Sequence, residues 1–335
     1  MISNPTPLAP KAIALLSGGL DSRLAILIVK EQGIQIEAVN FQTMFSCCKD
    51  DARQVAYDLG VGFTLLKAEE DYLERVRKPK HGYGRGINPC VDCRTYMFER
   101  AKALMQHIGA SFMITGEVLG QRPMSQKKHD FEMIERDSGL EGLILRPLSA
   151  KLLPETIPER EGLIDRSKLY AIQGRTRERL YEVAKHYGID DPPSASAGCA
   201  LTQPPFADKV RDLFEHDPGH EIWKFELLKI GRHFRLSPET KVILGRDETQ
   251  NAYLEELRFK GLPLLRPHNF AGPAVVFIGA ENPEMRAQAA SLVLRYAQKP
   301  LPVTCTFELI RGEETILVSA SQPAEESFIE GVRIA

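Results

Sequence analysis

The hexapeptide Ser17-Gly18-Gly19-Leu20-Asp21-Ser22 narrows the folds open to this chain more than any other stretch. An apolar run precedes it at residues 12–16, of the kind that suits a parallel strand covered on both faces. Residues 23–32 follow with helical character, and Gly33 stands where a helix C-cap is expected. Two glycines let the backbone turn tightly and come close to an anion, which the free amides and positive end of the helix attract. Ser17 and Ser22 add hydroxyl donors, and Asp21 is placed to hold a metal or to orient the loop. The Gly-Lys-Ser/Thr ending of a Walker A loop is missing, so phosphate is gripped by another arrangement. An ordinary glycine turn is the plain alternative. Both serines, the aspartate and the strand–helix setting together favour the anion grip.

With 335 residues the chain can bury a full core and is expected to carry two domains. Its 43% hydrophobic and 26% charged residues exclude wholesale disorder. A net charge of −2 excludes a globally basic nucleic-acid binder, so any RNA contact must come from local patches. No apolar stretch is long enough for a bilayer, and residues 1–10 lack the pattern of a signal peptide; cytoplasmic residence and no membrane partner are expected. In that compartment the six cysteines point to reduced, metal-bound or catalytic thiols rather than to structural disulfides.

Strands are expected at residues 36–41, 63–66, 112–115 and 143–148, and helices at 50–59, 96–108, 131–136 and 180–187. Their alternation implies βαβ units and a parallel sheet, with ligands beyond the carboxyl ends of the strands. Phe41 then becomes a candidate adenine-side wall, or equally a core aromatic. The adjacent Cys47 and Cys48 strain any shared metal or disulfide geometry and have no fixed role. A loop rich in Arg, Lys, His, Gly and Tyr is expected at residues 75–85, leading into Asn88-Pro89-Cys90-Val91-Asp92-Cys93. Two thiols three positions apart, on a loop entering a helix, can face one metal centre or act as a redox pair. A third thiol, Cys199, lies in the small-residue loop 194–202. Beyond about Phe214 the alternation stops, basic residues gather between Lys224 and Arg235, and a short-strand pattern appears. The expected division is residues 1–215 and 216–335, the second a smaller α+β domain with strands at 242–244 and 274–278, a helix at 283–297 and a closing hairpin at 303–318.

Taken together, Ser17 to Ser22, Asn88 to Cys93, Thr115-Gly116-Glu117 with Gly120-Gln121 and Ser125-Gln126, Arg146-Pro147-Leu148 and the loop around Cys199 resemble the PP-loop tRNA-thiolation enzymes. The similarity is greatest to the tRNA 4-thiouridine synthetase group and its cluster-dependent relatives. It implies a PP-loop ATP pyrophosphatase (HUP-type) α/β domain. The tail, with Gly245-Arg246, Gln250-Asn251, Pro267-His268 and Gly272-Pro273, resembles the RNA-binding domain of the NFACT proteins. Two departures stand out: no RNA-binding region precedes the loop, and no sulfurtransferase module with its own persulfide cysteine is recognisable.

The resemblance implies an ATP-dependent tRNA sulfurtransferase that adenylates a uridine carbonyl oxygen and replaces it with sulfur, giving 4-thiouridine, AMP and pyrophosphate. ATP is expected on Ser17, Gly18, Gly19, Asp21, Ser22, Phe41, Thr115, Gly116 and Gln121, with Mg2+ near Asp21. Cys90, Cys93 and Cys199 are expected to ligate a 4Fe-4S cluster with one iron open for sulfide. Two alternatives stay open: a persulfide on Cys199 resolved by Cys93 or Cys90, and a structural zinc. Candidate tRNA contacts are Arg75, Arg77, Lys80, Arg85, Arg122, Lys127 and Lys128, any of which could equally be solvated surface. Partners expected are tRNA, a sulfur donor (sulfide or a cysteine desulfurase) and, as an option, a second copy of the chain. An adenylating amide ligase has no general need for three converging thiols, and a non-enzymatic RNA-binding module predicts no AMP formation.

Overall fold

In the computed structural model, residues 9–45, 52–191, 198–219 and 221–335 are described. Cys47 and Cys48 and the start of the small-residue loop lie outside them. The chain divides into one unit at Met1–Thr202 and another at Gln203–Ala335.

The first unit is a five-stranded parallel sheet in the order β3-β2-β1-β4-β5, made of β1 (Lys11–Leu15), β2 (Gln35–Gln42), β3 (Gly62–Lys67), β4 (Phe112–Thr115) and β5 (Ile144–Leu145). Ala12, Ile13 and Ala14 are buried in succession, because helices cover both faces of β1. Those helices are α1 (Leu20–Lys30), α2 (Ala52–Asp58), α3 (Glu70–Arg77), α4 (Cys90–His107), α5 (Lys128–Ser138), α6 (Ile157–Arg160) and α7 (Glu178–His186). One apolar cluster joins α1, α2 and α7 to one face, and another joins α4 and α5 to the other. The chain runs outward from β1 to β2 and β3, then returns to the other side of β1 with β4. The crevice at the carboxyl ends of β1 and β4 is therefore a topological switch point, where ligands of such sheets bind.

Several elements differ from expectation. The basic stretch starting at Arg75 is helical as far as Arg77, because Tyr72, Leu73 and Val76 give α3 a buried face. The cysteine pair lies within α4 rather than ahead of it: Pro89 precedes Cys90 at the helix start, where its missing N–H costs nothing. Of the strand and turn expected over 143–148, the strand is confined to Ile144–Leu145.

The second unit is a six-stranded antiparallel sheet in the order β11-β10-β8-β9-β7-β6. Its strands are β6 (Arg232–Ser237), β7 (Thr240–Leu244), β8 (Leu264–Pro267), β9 (Val275–Gly279), β10 (Cys305–Arg311) and β11 (Glu314–Ala320). Its helices are α8 (Pro204–His216), α9 (Ile222–Leu227), α10 (Glu248–Glu256), α11 (Pro283–Tyr296) and α12 (Glu326–Val332). The division falls ahead of α8 rather than behind it, since Asp212 of α8 holds Arg235 of β6 and the buried Lys241 of β7 at 2.8 Å each. Gly245 is glycine for a local reason. A Cβ there would meet Asn251 Oδ1 at 2.0 Å, the same oxygen that accepts the Ala274 amide at 3.0 Å.

Candidate functional site

Gly18 turns the chain out of β1 at φ 79°, a left-handed conformation that favours glycine. Ser22 Oγ donates to the Gly19 carbonyl at 2.9 Å and lies 3.3 Å from Ser17 Oγ, while Arg23 Nε ties down the Gly18 carbonyl at 3.0 Å. No side chain caps α1, so its first amides are left to whatever sits in the loop. The exit of β4 closes against this turn. A Cβ on Gly116 would come within 2.5 Å of the Asp21 carbonyl carbon and the Ser22 nitrogen. Gln121 Nε2 donates to Asp21 Oδ2 at 3.0 Å. Asp21 Oδ1 is buried without a hydrogen bond, with Arg177 at 3.8 Å. Ser17, Gly18, Gly19, Asp21, Ser22, Thr115, Gly116 and Gln121 are thus brought together at the switch point. Phe41 is buried and packs edge-on against Tyr96 at 5.8 Å, so its ring is engaged in the aromatic core.

The thiols gather on α4 and its surroundings. Cys90 and Cys93 are three residues apart in the first turn and share a helix face. Tyr72 of α3 donates its hydroxyl to Cys93 Sγ at 3.1 Å. Cys199 arrives from far along the chain on a short segment held at both sides. The Ala200 amide donates to the Phe45 carbonyl at 3.5 Å and the Ile87 amide to the Leu201 carbonyl at 3.2 Å. Burial first, then the proximity of Cys93, Cys199 and Cys90, pushes the Tyr72 hydroxyl well above the ordinary phenol range. Cys93 is the thiol in contact with this hydroxyl, and Cys199 and Cys90 are near enough for their charge to act on it. Burial also pushes the Cys93 thiol up, opposed by the Tyr72 hydrogen bond and Arg94. For Cys90, burial and then Cys93 raise the thiol, while Arg94 and Arg122 oppose.

Arg94, next to Cys93, links the thiols to the loop. It lies 3.6 Å from Glu117 Oε1, whose other oxygen takes Arg146 Nε at 3.2 Å and the Thr115 hydroxyl at 3.1 Å. Glu117 and Arg146 are each 3% exposed, so this is a buried ion pair that fixes the β4 exit. Arg146 also bonds Glu135 and lies 3.8 Å from the Phe131 ring. Tyr72, Arg94 and Arg177 escape a motif-based reading. Tyr72 was accessible through the buried face of residues 70–77, and Arg94 through its adjacency to Cys93.

The candidate RNA-binding cations fall into two sets. Arg75 pairs with Glu99 at 2.7 Å, and Lys80 with Asp137 at 2.7 Å; Lys80 and His81 together hold the Asp137 carboxyl well below the usual range. Arg77 lies on α3, where its carbonyl accepts from the Tyr83 hydroxyl at 2.7 Å. Arg85, Arg122, Lys127 and Lys128 are exposed.

Two metal groups can be tested against these residues. For Mg2+, the orphaned Asp21 Oδ1 beside a phosphate-shaped loop fits, because Mg2+ commonly takes one carboxylate and completes its shell with phosphates and water. For a cluster, the described residues offer no fit: no three His, Cys, Asp or Glu side chains among them are grouped to hold a metal ion. No helix among the described residues is long and apolar enough to cross a membrane.

Residues 10–137 match the family model of the tRNA methyl transferase HUP domain, and residues 231–330 that of the NFACT protein RNA binding domain. A bifunctional protein NifU/MnmA from Rubrobacter xylanophilus is 30% identical over 161 residues, 43% of this chain and 32% of that protein. A tRNA-specific 2-thiouridylase MnmA from Deinococcus radiodurans is 29% identical over 138 residues, 36% of each chain. Among solved structures, a 4-thiouridine synthetase–RNA complex with bound ATP is similar at 21% identity and a TM-score of 0.36, covering 64% of this chain and 53% of that one. The chain thus spans 32% and 36% of the length of these two curated relatives.

Proposed function

We propose that this chain, which joins a PP-loop domain of the tRNA-thiolation type to an NFACT-type RNA-binding domain, is an ATP-dependent tRNA sulfurtransferase. The observation that supports the reading is the Cys93 thiol held at 3.1 Å by Tyr72, with Arg94 beside it reaching toward Glu117 at the β4 exit, which closes against the loop at the tip of β1.

A uracil oxygen leaves poorly, and converting it to an AMP ester makes it a good leaving group. Ser17, Gly18, Gly19 and Ser22 bind the β,γ-pyrophosphate through amides and hydroxyls and so orient the α-phosphorus for in-line attack by the base oxygen. Asp21 is the residue that would hold Mg2+, which neutralises phosphate charge when bound. Gln121 keeps that carboxylate turned toward the loop.

Sulfur is handled at the thiols. A persulfide on Cys199, supplied by a persulfide-bearing donor such as a cysteine desulfurase, attacks the activated carbon with its outer sulfur, and AMP departs. The Cys93 thiolate then attacks the inner sulfur. That forms a Cys93–Cys199 disulfide and leaves the outer sulfur on the base; a thiol reductant resets the pair. Tyr72 favours the Cys93 thiolate by donating to it, and Arg94 does so by charge. Relatives named tRNA-specific 2-thiouridylase favour the 2-oxygen of uridine over the 4-oxygen.

The test is mass spectrometry of tRNA nucleosides from cells with and without the gene, with a Cys199→Ala chain as the third arm. The expected outcome is a 2-thiouridine-type nucleoside that disappears with the gene and is not restored by Cys199→Ala. A lost 4-thiouridine reassigns the oxygen. Unchanged nucleosides overturn the function, and iron that co-purifies anaerobically and leaves with Cys199→Ala overturns the persulfide route.

A further inference from the structure

The second domain commits most of its cations to carboxylates. Arg235 and Lys241 share Asp212, Arg266 holds Glu255 and Glu308, Arg286 and Arg311 meet at Glu281, and Arg295 reaches Glu326. Lys209, Arg232, Arg246 and Arg333 are among those with no carboxylate partner in the described residues, as are Arg258, Lys260 and Lys299, but only these four gather at one place.

These four converge on one edge of the sheet. Arg232 pairs with Leu244 across the β6–β7 ladder, so the start of β6 and the end of β7 lie together, and Arg246 leaves from that end. Arg232 Nη1 reaches the carbonyl of Gly245 at 3.4 Å, and its guanidinium lies 4.5 Å from the Tyr296 ring. Two residues along β6, Phe234 forms an antiparallel bridge with Arg333, which brings a third guanidinium to the edge. Lys209 of α8 is buried, with its ammonium 3.2 Å from the Leu228 carbonyl. Burial first, then Arg246, Lys241 and Arg333, pulls that ammonium down to about 8. The cations therefore destabilise one another, and a nearby anion would relieve the repulsion.

We propose that Arg232, Arg246 and Arg333, with Lys209 behind them, cradle consecutive phosphates of an RNA sugar-phosphate backbone. The proposal rests on the reading of the second domain as RNA-binding. Arg246 and Arg333 are exposed, Arg246 beyond the end of β7 and Arg333 beside the edge strand β6, and this spread suits a chain of phosphates better than a single small anion. Recognition of this kind positions the RNA without reading its bases.

The test uses the full chain and measures tRNA affinity against salt. Arg246→Gln and Arg333→Gln are each expected to flatten the slope of log affinity against log salt by roughly 0.7 to 0.9, and the double variant by about twice that. Arg295→Gln, whose charge is already held by Glu326, should keep the wild-type slope. Salt-dependent tRNA binding that both cradle variants leave unaltered overturns this site while the RNA-binding reading stands. Failure of the wild-type chain to bind tRNA overturns that reading and the site with it. Inorganic phosphate at matched ionic strength should displace tRNA from the wild type more readily than from the double variant; equal displacement in both would place the RNA phosphates elsewhere and overturn the site.

Discussion

Cys93 is held between opposing influences. Burial disfavours its thiolate, while the Tyr72 hydroxyl at 3.1 Å and the neighbouring Arg94 favour it. Tyr72, held well above the ordinary phenol range, remains a donor at any pH at which the protein works. Changing Tyr72→Phe removes that donor and keeps the ring packed on Tyr96 and Phe45. A hydrogen bond to a charged group contributes about 1.5–3 kcal/mol, so losing it is expected to push the Cys93 thiol further up. The sign follows from which form is reactive. In the proposed mechanism the thiolate attacks, and its population grows as pH rises, so the ascending limb of the single-turnover thiolation profile moves to higher pH in the variant. The plateau rate above that limb stays near wild type. A profile that loses height without shifting would show that Tyr72 acts only through packing.

At the scale of elements, the junction of β4 with the start of α1 shapes the loop to which the proposal assigns the nucleotide. Gly116→Ala sets a methyl group against backbone atoms of Asp21 and Ser22 that cannot swing aside. The helix start must shift, at a cost of about 1–3 kcal/mol in stability. Misplacing the loop by an ångström is expected to lower kcat/KM for ATP on the order of 10²-fold, read as pyrophosphate release in the presence of tRNA. An unchanged kcat/KM would mean that the loop adapts freely. The strand–turn–helix unit here was legible in the sequence because its signals are local: an apolar run, two glycines and a helical stretch. The β3-β2-β1-β4-β5 order was not, since strand neighbours are chosen by long-range packing that no single segment encodes. The three thiols could be named as a set, yet Tyr72, which donates to Cys93, belongs to no motif and is found only through the buried face of α3, which the basic residues at its end obscure. In β6, Arg232 and Arg235 flank the buried pair His233 and Phe234, and the strand therefore reads as a basic cluster. The two prolines that open α8 look like a break, although proline at the first turn begins a helix readily.

At the scale of the molecule, each unit carries its own core. The parallel sheet is covered on both faces by the α1, α2 and α7 cluster and the α4 and α5 cluster. The antiparallel sheet has one cluster under α11 and another lined by Leu227, Leu254 and Leu257. Domains that each close a core can unfold as separate cooperative units. Phe307 of β10 is fully buried and meets Phe270 edge-on at 5.2 Å, so Phe307→Ala should cost about 3–5 kcal/mol, confined to the second unit. Hydrogen exchange resolved by peptide is the direct measurement: protection should fall across 203–335 and persist across 1–202. Function should divide in the same way. Nucleotide binding at the loop is retained, whereas tRNA affinity, which is assigned to the sheet edge at Arg232, Arg246 and Arg333, declines as that sheet loosens. Equal loss of protection in both units would mean that the cores fold as one, and adenylation and RNA capture could then not be separated by mutation of either core.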